Sequence, residues 1–218
     1  MTITQDGVQT STDMDRRDLL RRSLFWGSAG VAASLAIAAP AHAETEDTKV
    51  FDVAMLGDTH RLIPGPGVDD FDLRGTTYYV DGIIYPAGTI PGGTEVFDSA
   101  AHADLAIGTW VSTGHFIWST DRFQPHRFSI QQHIFGQITP DNLFPVNQIA
   151  SQGTESSRTQ DTLPSTRVIT GGSGDYIGAT GQITQYGLGK NTTVIDVLGS
   201  KQLAPNFRFH FKFLKHGL

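Results

Sequence analysis

Cysteine is missing from the 218 residues. No disulfide can form, so burial of a core must hold the fold together. Positive charge is scarce as well: 16 Lys and Arg stand against 22 Asp and Glu, a formal net charge of -6. No basic cluster occurs beyond the N-terminal segment. A phosphate backbone needs a basic face, so nucleic-acid binding is excluded. Apolar runs are short everywhere past residue 39, and none reaches the ~20 residues of a helical bilayer span. Chemical signatures are also few. No glycine pattern opens a helix and no GxxxxGKS/T is present, which argues against a phosphate loop. No HExxH or HxH spacing marks a metal site, and no GxSxG elbow marks a serine hydrolase. No metal or other cofactor is expected.

What is abundant is strand and turn material. Glycine occurs 24 times, beside many Thr and Val residues, and 39% of the chain is hydrophobic, enough for a core. The first 43 residues read separately. Arg16-Arg17-Asp18-Leu19-Leu20-Arg21 fits a twin-arginine export signal, with Arg21-Arg22 repeating the pair. An Ala-rich apolar stretch from Ser23 to Ala39 leads to Pro40-Ala41-His42-Ala43, an A-x-A cleavage site before Glu44. The expectation is a cleaved signal over 1–43, a domain over 44–218 and a secreted or extracytoplasmic location, with no stable membrane span once the signal is removed.

Period-two alternation marks the strands of that domain. In Val50–Leu56, residues Asp52, Ala54, Leu56 and then Asp58 share one face, and Phe51, Val53 and Met55 the other. A Pro- and Gly-rich loop follows at 60–68. Phe71–Ile90 reads as two short strands around a hairpin at Asp81-Gly82. After a second loop over Pro91–Ala103, Ile107–Ser119 places Trp110, Ser112, Gly114, Phe116 and Trp118 on one face. Beyond a turn at Arg122–Pro125, Phe128–Ile138 sets Ile130, Gln132 and Ile134 against Gln131, His133 and Phe135. Val146–Thr154 is a polar strand, Ser156–Ser165 an exposed loop, and Thr166–Thr170 and Thr192–Leu198 are further strands. The closing strand, Phe207–Leu214, alternates four Phe residues with Arg208, His210 and Lys212. That phenylalanine face fills a core, lines a cavity or seals an oligomer.

Between two of these strands lies Gly171-Gly172-Ser173-Gly174-Asp175-Tyr176-Ile177-Gly178-Ala179-Thr180-Gly181-Gln182. Glycine at this density marks a corner where one barrel wall turns into the next. The pattern G-G-S-G-x-F/Y-x-G-A-x-G-Q resembles the signature of the allene oxide cyclase and dirigent superfamily. Tyr78-x-Val80-Asp81-Gly82, followed by Ala87-Gly88-Thr89, is similar to bacterial members, including cyclases of polyketide pathways. The resemblance implies an all-β, eight-stranded antiparallel barrel of calycin-like architecture that binds or cyclises hydrophobic small molecules, and a homodimer or homotrimer. Dirigent proteins carry basic side chains where Ile177 and Thr180 stand here, so the cyclase variant fits better.

The pocket residues expected on this reading are Trp110, Phe116, Trp118 and Tyr176, with the amides Gln132 and Gln182. The catalytic acids implied by the first strand are Asp52 and Asp58, with Glu155 a further acid. The histidines His115, His126, His133 and His210 read as hydrogen-bonded wall residues. Asn191-Thr192-Thr193 is a glycosylation sequon that carries little meaning behind a twin-arginine signal. Three functions remain: an isomerase or cyclase acting on an apolar substrate, a non-catalytic carrier, and a barrel with a filled core.

Overall fold

The computed structural model describes residues 46–66, 73–117, 126–136, 141–142, 145–156, 164–197 and 199–214. The chain divides into two units, Met1–Ala41 and His42–Leu218, and the described residues all belong to the second. The export segment read at 1–43, Trp118, the turn at 122–125 and most of the loop at 156–165 lie outside the described residues.

The strands are β1 (Glu46–Met55), β2 (Arg61–Ile63), β3 (Thr77–Pro86), β4 (Val96–Phe97), β5 (Gly108–Ile117), β6 (His126–Phe135), β7 (Asn147–Ser156), β8 (Ser165–Ser173), β9 (Gly181–Val197) and β10 (Ser200–Leu214). They pair in the order β1-β10-β9-β8-β7-β6-β5-β3, and β3 returns to β1. Eight antiparallel strands therefore close into a barrel. β2 extends the ladder beside β3, and β4 lies parallel to β9 at Lys190 and Asn191, past the reach of β8. Among the described residues no helix is long and apolar enough to cross a membrane.

Alternation sorts the walls. On β10, Phe207, Phe209, Phe211 and Phe213 point inward and are nearly or fully buried, as the phenylalanine pattern predicts for a core. Their rings step along the strand at 6.2, 6.4 and 6.0 Å. Trp110 from β5 packs against Phe207 and Phe209, and Phe51 from β1 against Phe211. Each such side chain contributes about 1.5–3 kcal/mol relative to exposure. The outer wall of β1 and β3 is buried too. Ala54 and Tyr85 form a second cluster with Ile90 and Phe97, which the segment 87–106 lays over them. Tyr85 donates to the Ser99 carbonyl at 3.2 Å.

One local expectation changes. The Asp81-Gly82 pair is no hairpin: β3 runs straight through it from Thr77 to Pro86. Gly82 is there because its neighbours leave no room. A Cβ would lie 2.8 Å from Trp110 Cε3 and from Val53 Cγ1, and 2.9 Å from the Ala54 carbonyl oxygen. The sequon asparagine, Asn191, is fully buried, and its amide donates to the Met55 carbonyl and to Asn206 Oδ1.

The glycine-rich stretch does connect two walls, β8 and β9, and it covers one end of the barrel. A short 3-10 turn over Gly174–Tyr176 lays the Tyr176 ring on Phe213 and beside Phe135, at centroid distances of 6.0 and 5.3 Å. Lys49 Nζ sits 4.7 Å from the same ring. Asn147 holds the turn, accepting from Asp175 N and donating to Asp175 Oδ2. Gly174 takes φ +60°, and a Cβ there would lie 2.1 Å from Asn147 Oδ1.

Candidate functional site

The opposite end of the barrel is built differently. Here β6 turns Arg127, Ser129 and Gln131 inward, β7 contributes Glu155, β8 contributes Arg167, and β3 and β5 contribute Tyr78 and Ser112. Glu155 lies between the two guanidiniums. Arg127 Nε is 2.8 Å from Glu155 Oε1, an ion pair that is out of line for a hydrogen bond. Arg167 Nη2 hydrogen-bonds Glu155 Oε2. Tyr78 donates its hydroxyl to Glu155 Oε1 at 3.1 Å, and its ring centroid lies 4.7 Å from Arg127 Cζ. The Arg127 side chain is 18% exposed, against 2% for Glu155 and 0% for Arg167. The cluster therefore begins at the surface and runs inward.

A hydrogen-bonded chain continues from it. Arg167 Nε donates to Ser129 Oγ at 3.0 Å and Nη2 to Gln185 Oε1 at 2.6 Å. Gln131 Nε2 reaches the same Gln185 oxygen, while Gln131 Oε1 accepts from Trp110 Nε1 at 3.1 Å. Deeper on β6 lies His133, fully buried, with Phe209 and Phe211 edge-on to its ring at 4.8 and 4.9 Å.

Electrostatics fix the protonation of these groups. Burial pushes the Glu155 carboxyl up, but Arg127, Arg167 and the Tyr78 hydroxyl more than reverse this and hold it below its ordinary 4.5. Burial, and then the Glu155 charge, push Tyr78 up to about 12. Burial and the Arg167 charge pull His133 down to about 3. At neutral pH Glu155 is thus an anion, Tyr78 a hydrogen-bond donor and His133 a neutral ring. The cluster can hold and polarise an oxygen, but none of these three groups is poised to exchange a proton near neutrality.

The expected site residues divide. Trp110 and Phe116 face the interior, Phe116 packing on Tyr78 at 6.0 Å. Tyr176 lies at the covered end, away from the polar cluster. Trp118 lies outside the described residues. Gln132 and Gln182 are exposed on the outer wall, because alternation turns Gln131 and Ile183 inward instead. Asp52 is buried beneath the segment 87–106, outside the interior. It accepts from Arg208 Nε and Nη2 at 2.7 and 3.0 Å, and from the amides of Gly88 and Ile90. Asp58 is exposed on the turn Gly57–Thr59. Among the described residues, no group of three or more His, Asp or Glu is placed to hold a metal ion.

Arg127, Arg167, Tyr78 and Gln185 were not anticipated. For Arg127 the signal is period two on β6, where Arg127, Ser129, Gln131 and His133 form one face; Tyr78, Arg167 and Gln185 lie on other strands and are brought to it by register. The opposite face of β6, Phe128, Ile130 and Ile134, is the apolar one, and apolarity alone would have assigned it to the core.

No protein-family model matches the chain, and no curated protein sequence does. Solved structures resemble it at low identity. The pterocarpan synthase dirigent protein PsPTS1 is 14% identical, with 80% of this chain and 98% of that one covered, at a TM-score of 0.50. A pyocyanin demethylase is 16% identical, with 77% and 99% covered, at a TM-score of 0.44. The Diels Alderase AbmU from Streptomyces koyangensis is 13% identical, with 78% and 64% covered, at a TM-score of 0.43. At 14% identity the likeness to the dirigent protein extends to the fold alone, an antiparallel barrel.

Proposed function

We propose that the barrel takes a hydrophobic small molecule through the Arg127 end and isomerises or cyclises it by confinement. One observation carries this reading: a charged, hydrogen-bonded cluster lies inside a barrel whose core is otherwise largely apolar. Net stability alone does not call for it, because a buried ion triad is often no more stabilising than apolar residues of the same volume. A ligand that needs both an apolar wall and a few placed polar groups gives it a purpose. Trp110 and Phe116 shape the substrate, and Arg127, Arg167 and Tyr78 polarise it. Holding a reactive fold of the substrate supplies most of the acceleration such a site can offer. In the same proposal, the export signal read at 1–43 places the reaction outside the cytoplasm.

A second reading, a non-catalytic carrier, is favoured by the pKa pattern. Glu155 is locked as an anion, Tyr78 is pushed to about 12 and His133 to about 3, which suits holding better than proton transfer. Native mass spectrometry of the full chain after exposure to a metabolite extract separates the two. A retained ligand released with altered structure supports the enzyme, and one released unchanged supports the carrier. A chain that retains nothing sinks both and leaves the filled barrel. The same spectra read whether the protein is a monomer, homodimer or homotrimer.

A further inference from the structure

Of the buried side chains among the described residues that keep a polar atom without a hydrogen-bond partner, three lie in the interior below the Arg127–Glu155 pair. Both ring nitrogens of His133, the Oγ of Ser151 and the Nη1 of Arg167 have no hydrogen-bond partner among the described residues. All three residues are fully or almost fully buried, at 0, 0 and 1% exposure. Orphaned buried donors are rare, and each costs about 1–3 kcal/mol if left unmet.

They are not scattered. Ser151 on β7 lies opposite Gln131 on β6 and Ile169 on β8. His133 is two residues beyond Gln131, and Arg167 two residues before Ile169. The three therefore lie on a diagonal across adjacent strands, where such neighbours stand about 7–8 Å apart. A kink in the β7–β8 register at Ala150/Ser151 falls at the middle of this line. The diagonal descends from the Arg127–Glu155 pair to the Phe209 and Phe211 rings, which touch His133.

The sign of the site follows from its charges. Two guanidiniums face the single carboxylate of Glu155, so one positive charge is left over, and Arg167 Nη1 is buried without a hydrogen-bond partner. A cationic or purely apolar ligand would leave that charge uncompensated in a low dielectric.

We propose that Arg167 Nη1, Ser151 Oγ and the His133 ring form a buried cradle for a negatively charged oxygen of the ligand. The ligand is then an acidic lipophile: a carboxylate, phenolate or enolate on an unsaturated body that lies against Phe209 and Phe211. This rests on the reading of the barrel as a small-molecule site and adds the class of molecule. In the reaction, the cradle favours negative charge gathering on oxygen over positive charge on carbon.

The test is a fluorescence titration of the full chain with two dyes of one framework, anionic anilinonaphthalene sulfonate and its uncharged analogue phenylnaphthylamine. The expected result is at least tenfold tighter binding of the anion. Arg167→Met should abolish that preference while sparing the neutral dye. Ser151→Ala, a change too small to unfold the barrel, should weaken the anion alone by threefold or more. A neutral dye that binds as tightly as the anion overturns the cradle but leaves the small-molecule reading standing, as does a preference that Ser151→Ala leaves intact. If neither dye binds, the small-molecule reading itself fails.

Discussion

Arg208 grips Asp52 with two parallel hydrogen bonds, from Nε at 2.7 Å and Nη2 at 3.0 Å, on the outside of the barrel wall. The same carboxylate receives the amides of Gly88 and Ile90, at 2.8 and 3.2 Å. One acid thus ties the first strand, the last strand and the outer segment 87–106 together.

The two partners are unequally buried, so their removal should cost unequal amounts. The Arg208 side chain is 30% exposed and Asp52 0%. Asp52→Asn lets the arginine return to water and is expected to cost about 2–3 kcal/mol. Arg208→Met strands a buried carboxylate and is expected to cost about 3–5 kcal/mol. Equilibrium urea denaturation of both variants checks the order, and equal losses would contradict it. In Asp52→Asn, hydrogen exchange at Gly88 and Ile90 should quicken.

Stability should fall on acidification well above the usual carboxylate range. His133 is held near 3, below its ordinary 6.5, so the unfolded chain binds a proton over this interval and the folded chain does not. The stability tied to His133 is complete above 6.5 and drains by about 1.4 kcal/mol per pH unit as the pH falls. The depressed Glu155 adds a further loss only below its ordinary 4.5. His133→Leu should therefore flatten the stability profile between pH 6.5 and 4.5. His60, also lowered by burial and by Arg127, acts with the same sign and preserves part of the slope. An unchanged profile would mean that His133 meets water in the folded state.

Glu155→Gln should destabilise the protein by about 3–5 kcal/mol, because it leaves two guanidiniums facing each other without a counter-charge. Replacing the triad together, with Arg127→Met, Glu155→Leu and Arg167→Met, should restore most of that loss while abolishing ligand retention. Thermal unfolding beside native mass spectrometry reads both effects. A triple variant that still retains ligand would remove the triad from the site.

Gly82→Ala should cost about 1–3 kcal/mol, since the added methyl meets Trp110, Val53 and the Ala54 carbonyl at once. Chemical denaturation measures it. A neutral effect would mean that the Trp110 ring can retreat.

The all-β class and the phenylalanine face of the last strand were legible because alternation and glycine placement are local signals, whereas the eight-stranded barrel was legible only through the resemblance of the glycine motif. The Asp81-Gly82 hairpin misled for a physical reason: a glycine required by a neighbour's bulk looks the same in sequence as one required by a turn. Asp52 misled because the strand bearing it is buried on both faces, so a buried acid there did not imply an interior one. The polar cluster was hardest to read. Its members come from β3, β5, β6, β7, β8 and β9, and only the registers bring them together.

The polarity of β6 has a consequence for how the chain reaches its fold. Sliding that strand by one residue against its neighbours would turn Phe128, Ile130 and Ile134 inward and move Arg127, Gln131 and His133 to the outer wall. Burial favours the mistaken pairing, so hydrophobic collapse does not select the native one. What selects it is the contact of Arg127 with Glu155 and of Gln131 with Trp110. The polar residues of the interior thus also act as the strand's proofreaders during folding.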